Sequence, residues 1–144
     1  MEDRHLCKAR PIGTRKQWVT GFYAVLGEKT VIIVNEPEKF YDVDSEKNSS
    51  GNKIVEVIPK TVCQCTGLKD KNGKLIYEND ILSGHIDDEF PEDETRKRVV
   101  WHENGWCTNE PGCDDYEELD DFDSENFEVI GNMIDNPELL EVRL

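Results

Sequence analysis

Residues 66–77, Thr-Gly-Leu-Lys-Asp-Lys-Asn-Gly-Lys-Leu-Ile-Tyr, leave the backbone few choices. Asn72-Gly73 lies between short apolar flanks, and Asn and Gly are the residues that tolerate the positive φ a tight β-turn demands. A hairpin is therefore predicted across 68–77. The chain continues Glu78-Asn79-Asp80-Ile81-Leu82. An apolar pair resumes so soon that a second tight turn is needed at Glu78-Asn79, with Asn79 suited to the left-handed conformation. The same stretch begins like a calcium loop at Asp70. Such a loop needs an oxygen ligand at its fifth position, Gly at the sixth and Glu at the twelfth. Those positions hold Lys74, Leu75 and Ile81, so the pattern fails and the turn reading stands. Asp80, considered as a catalytic acid, has no second carboxylate at acid/base spacing; capping a turn is the preferred reading.

The rest of the chain follows the same grammar of short β-branched and aromatic runs between turn residues. Residues 17–26 read as a strand with Gly21 as a candidate bulge. A turn at 27–29 leads into 30–35, apolar enough to be buried on both faces. Loops are expected at 35–43, which contains Pro37, at the Ser/Asn/Gly-rich 44–53, and at the acidic 87–95. Further strands are expected at 53–59, 61–66 and 127–136. A hairpin over 96–109 turns at Glu103-Asn104-Gly105. Asn136-Pro137 has the form of a helix start, with Asn as cap and Pro at the first helical position. Many strands and one short C-terminal helix make a mainly β fold, most simply a small barrel with an accessory sheet.

At 144 residues the chain fits one domain or two small ones. The expected division is an N-terminal hairpin or accessory sheet region over 1–60 and a barrel region over 61–144 with an acidic insertion at 110–126. The first ten residues have no apolar stretch of the signal-peptide kind, and the longest aliphatic run, 31–34, is too short to cross a bilayer. A cytoplasmic location is the expectation. Five cysteines, an odd number, argue for free thiols over a disulfide framework.

Charge is unevenly placed. Residues 1–86 hold 13 Lys+Arg and 12 Asp+Glu, whereas 87–128 hold 3 and 17. Direct nucleic-acid binding by that face is disfavoured, because affinity for phosphates rests on cations. Eight of the twelve residues 114–125 are acidic: Asp114, Asp115, Glu117, Glu118, Asp120, Asp121, Asp123 and Glu125. They form a candidate partner-binding surface. The plain reading is a hydrated loop. The sharper one is an imitation of the DNA phosphate ladder, which requires rigid support. Tyr116, Leu119 and Phe122, at three-residue intervals, are candidates to anchor one face of a helical turn near 116–122.

Trp101 and Trp106 flank the second hairpin turn. Cross-strand core packing is the plainer expectation, and an aromatic groove for a peptide is the alternative. Cys63 and Cys65 alternate on a strand and share a face, while Cys107 and Cys113 lie farther on; the spacing fits no zinc knuckle, and buried hydrophobes are preferred. His5, His85 and His102 are scattered, and neither a nucleophile elbow nor a phosphate-binding Gly loop occurs. No catalytic, cofactor-binding or metal residue is assigned. A metal-dependent enzyme is retained only as a further alternative.

Three stretches together resemble the YopX family of phage and prophage proteins. The first is Arg10 with Trp18-Val19-Thr20-Gly21; the second runs from Thr66 to Ile81; the third runs from Glu128 to Leu140. The resemblance implies a β-rich protein with an SH3-like barrel in its C-terminal part, in the cytoplasm of a bacterial host. It implies no activity. Asn79, Cys63, Cys65 and the charge of 110–126 depart from the common pattern. The expectation is a non-enzymatic accessory protein that binds an unidentified protein partner, with an acidic DNA mimic that inhibits a basic host protein as the alternative. Self-association into a homo-oligomer is also expected, because exposed strand edges and a thin core are often resolved by pairing.

Overall fold

A computed structural model describes residues 5–13, 17–34, 53–86, 89 and 92–141. The loops expected at 35–43 and 44–52 lie outside the described residues, as does part of 87–95. Among the described residues there are eleven strands and one short α-helix: β1 (Cys7–Ala9), β2 (Val19–Leu26), β3 (Lys29–Val34), β4 (Lys53–Glu56), β5 (Cys63–Lys69), β6 (Leu75–Tyr77), β7 (Asp80–Gly84), β8 (Thr95–His102), β9 (Gly105–Asn109), β10 (Glu117–Glu118), α1 (Asp121–Asn126) and β11 (Phe127–Asn132). They form two antiparallel sheets, ordered β4-β3-β2-β1-β5-β6 and β10-β9-β8-β7-β11. The chain divides into two units, Met1–Cys65 and Thr66–Leu144.

In the first unit β2 and β3 pair from Phe22↔Ile33 to Leu26↔Lys29, joined across Gly27 at φ 67°. Ala9, Ile32, Val34 and Val57 form its core, with Cys7, Val19, Val55 and Val62 against them. Gly21 is not a bulge: its pairing with Cys7 continues a regular ladder. A Cβ there would stand 2.2 Å from the Ile33 carbonyl oxygen, so the residue permits close approach of backbone. Arg10 and Trp18 meet, the guanidinium 5.2 Å from the ring centroid, with Lys8 Nζ at 4.9 Å. The Arg10 amide donates to Thr61 Oγ1, whose hydroxyl donates to the Ile58 carbonyl. Cys63 and Cys65 are both buried; the Cys63 thiol donates to the Thr61 carbonyl.

The second unit takes the remainder of β5, with β6, the five-stranded sheet and α1. Its core is Ile76, Leu82, Val99, Leu119 and Phe127, joined by Leu68, Trp106 and Val129. Asp70 organises the first predicted turn. Its Oδ1 accepts from the amides of Asn72 and Lys74, and its Oδ2 from the amide of Val129 on β11, each at 2.9 Å. Gly73 takes φ 82°. Burial favours the neutral acid, but the three amides outweigh it, helped by the Lys74 charge, and the carboxyl sits below its ordinary value. At the next turn Asn79 takes φ 72° and Asp80 Oδ2 accepts from the Tyr77 amide. The Asn79 amide donates to the Val99 carbonyl, and its own carbonyl accepts from Met133. The turn is thereby held to β8 and to the chain beyond β11.

The closing motif is equally structural. Asn132 Oδ1 accepts from the amides of Ile134 and Asp135. Gly131 leaves room for Asn136 and Leu139, whose atoms a Cβ would meet at 2.6 and 2.9 Å. Two expectations are corrected here. The C-terminal helix is a single 3-10 turn, Pro137–Leu140, and Asn136 does not cap it; its side chain reaches back to the Asn132 amide instead. The helical turn near 116–122 lies later, in α1, where Asp120 and Asp123 form a reciprocal cap. Residues 117–118 are strand, paired with β9. Among the described residues no pairing closes the five-stranded sheet into a barrel.

Candidate functional site

The β8–β9 hairpin carries the predicted aromatic pair. Trp101 and Trp106 are direct cross-strand partners, with centroids 5.1 Å apart in edge-to-face geometry. Trp106 packs onto the core, while Trp101 is 53% exposed. The reversal between the strands places Glu103, not Gly105, in the left-handed region, at φ 57°.

The acidic segment returns along this hairpin. Asn109 Nδ2 donates to the carbonyls of Cys113 and Asp115, and the Leu119 amide donates to the Trp106 carbonyl. Leu119 is buried, whereas Tyr116 and Phe122 are exposed, so one of the three proposed anchors holds the segment. Asp114, Asp115, Glu117, Glu118, Asp120, Asp121 and Glu125 are exposed. Asp123 is not: it is buried and forms an ion pair with Lys97, whose Nζ also lies 4.3 Å from the Phe127 centroid. It serves to dock α1 and offers no surface charge.

The segment and the hairpin bound a groove of about 530 Å³. Leu68, Trp106 and Leu119 give it apolar lining, and His102 and Tyr116 stack within it at 3.8 Å with rings 4° from parallel. Glu103 and Glu118 contribute carboxylates. Trp101 does not line this groove, so the candidate pair Trp101 and Trp106 is split. The sequence does not show that His102 and Tyr116 meet in a groove. Tyr116, an aromatic set among acids, was the available signal; its partner is decided by tertiary contact.

A family model described as YopX protein matches residues 25–141. The chain belongs to the YopX family. No curated protein matches this YopX sequence. A similar solved structure is that of protein EF1440 from Enterococcus faecalis, with 23% identity over 77% of this chain and 87% of that one, and a TM-score of 0.43.

Other polar clusters in this YopX chain are engaged within the fold. Asp70 and Asp80 are buried on backbone amides and line neither groove described here. A second groove, of about 410 Å³, includes Glu94, Arg96, Cys113 and Leu139. Arg96 donates to Glu94 at 2.9 Å and to the Leu139 carbonyl at 3.1 Å. The Ser83 hydroxyl donates to Glu94 and, against burial and with Arg96 and His85, holds its carboxyl below the ordinary value. Among the described residues no three His, Cys, Asp or Glu side chains gather as a metal site, and no helix is long and apolar enough to cross a membrane.

Proposed function

We propose that this YopX-family protein is a non-enzymatic, cytoplasmic phage or prophage accessory protein that binds another protein through the groove of its second unit. That unit is best regarded as an open, SH3-like small barrel whose acidic segment forms one groove wall. The observation that carries the reading is the groove itself. It combines apolar lining, a stacked His102–Tyr116 pair and carboxylates in one concave surface, the composition expected of a peptide-docking site.

The test is affinity capture from bacterial lysate with the intact protein and with Tyr116→Ser. Tyr116 is exposed and lies outside the core cluster, so the variant is expected to keep the fold. A specific protein held by the intact chain and lost by the variant is the expected result; equal capture by both rejects the groove.

A second reading, an acidic mimic that occupies a basic host protein, is favoured by one observation. Seven of the eight acids at 114–125 are exposed on a segment anchored by Leu119 and by hydrogen bonds from Asn109. Neutralising Asp114, Asp115, Asp120 and Asp121 to their amides separates the two. A mimic loses its partner, whereas groove binding persists at moderate ionic strength.

Self-association completes the proposal. Tyr23, Val25 and Leu26 form an exposed apolar end to the β2–β3 hairpin, of the kind that pairing would cover.

A further inference from the structure

The chemistry of the groove specifies its occupant more narrowly. Three features converge within residues 66–144. The first is planar aromatic surface: Tyr116 stacks on His102 yet remains 39% exposed, and Trp106 stands in the same lining. The second is negative charge, from two carboxylates in the same lining, of which Glu103 Oε1 lies 3.8 Å from His102 Nε2. Glu103 projects from the hairpin turn with its side chain 81% exposed, and Glu118 stands on β10 opposite Cys107. The third is the field that results. Burial pushes the Cys107 thiol up, and the Glu118 and Glu103 carboxylates push it further, so a group lining the groove experiences negative potential.

We infer that the groove binds an arginine side chain of the partner protein, its guanidinium stacked on the aromatic wall and paired with Glu103 and Glu118. Arginine fits better than lysine. A guanidinium is planar, is more weakly hydrated than an ammonium, stacks on aromatic faces and pairs in a fork with carboxylates. Leu68 and Leu119 receive the apolar stem and neighbouring residues of the same peptide. The occupant is thus a segment with one arginine flanked by aliphatic residues. This rests on the groove reading above and narrows it.

The test titrates the intact, nitrogen-15-labelled protein with three capped pentapeptides, Gly-Leu-X-Leu-Gly, where X is arginine, lysine or citrulline. Citrulline keeps the planar shape and removes the charge. The arginine peptide is expected to shift the Trp106 indole and the Gly105 and Glu118 amides. It should bind at least about tenfold more tightly than the lysine and citrulline peptides, the scale of one charge-assisted contact. Glu118→Gln should remove most of that preference. Equal binding of all three peptides at these resonances overturns the arginine inference and leaves the docking groove standing. No shift at these resonances with any peptide overturns both.

Discussion

Asp70 and Glu103 put backbone geometry to opposite uses. Asp70 spends its charge on three amides of the fold, so Asp70→Asn should cost about 2–4 kcal/mol in chemical denaturation, through lost charged hydrogen bonds and an amide group facing an N–H. Its pH behaviour follows from the direction of its shift. The folded carboxyl titrates below its ordinary 3.8, so the unfolded chain takes up that proton first as pH falls. The contribution is complete above the unfolded value and is lost as pH drops through the lower, folded one. Stability measured from about pH 6 downward should therefore fall less steeply for Asp70→Asn than for the parent below about pH 4. Glu103 instead holds a left-handed conformation that disfavours a side chain. Glu103→Gly should raise stability by about 1 kcal/mol in thermal unfolding while weakening the arginine peptide, which separates strain from function at one residue.

The elements show where the sequence was legible. The turns at Gly73 and Asn79 could be read because positive φ is a local demand that few residue types meet. The β2–β3 and β8–β9 hairpins could be read from β-branched runs with turn residues between them. The left-handed Glu103 was hidden, since a Glu within a turn gives no local sign of positive φ. The position of α1 was misread because the Tyr116, Leu119 and Phe122 spacing suits a helix, whereas 117–118 are paired to β9 as strand. The Lys97–Asp123 pair was invisible, since an acid in an acidic run gives no sign that it alone turns inward. Its burial sets an element-scale prediction. Lys97→Met should cost about 3–5 kcal/mol by leaving Asp123 charged and unpaired, and adding Asp123→Leu should recover much of that. A double-mutant cycle by urea denaturation measures the coupling.

Across the whole sequence, charge is unevenly placed. The first 86 residues are nearly balanced, while 87–128 carry 17 acids against 3 cations. Binding of a cationic partner should therefore weaken as salt rises, mainly through slower association. The exposed apolar end of the β2–β3 hairpin belongs to the other unit. Sedimentation velocity should show a dimer or larger species that Val25→Lys converts to monomer, with arginine-peptide affinity unchanged. The strand-rich fold and most of its turns could be read from local residue chemistry. The groove could not, because Leu68, His102, Trp106 and Tyr116 come together only through the pairing of β8, β9 and β10 and the path of the chain into it.

On the function proposed above, the Asn, Gly and Asp residues of the family signature shape backbone, while recognition belongs to the groove. The dissociation constant of the arginine peptide, measured side by side for Asp70→Asn and Glu118→Gln at a temperature where both are folded, tests it most directly. Parental affinity is expected for Asp70→Asn despite its lower melting temperature, and a loss of about tenfold or more for Glu118→Gln at parental stability. A folded Asp70→Asn protein that no longer binds, beside a Glu118→Gln protein that binds normally, would contradict it.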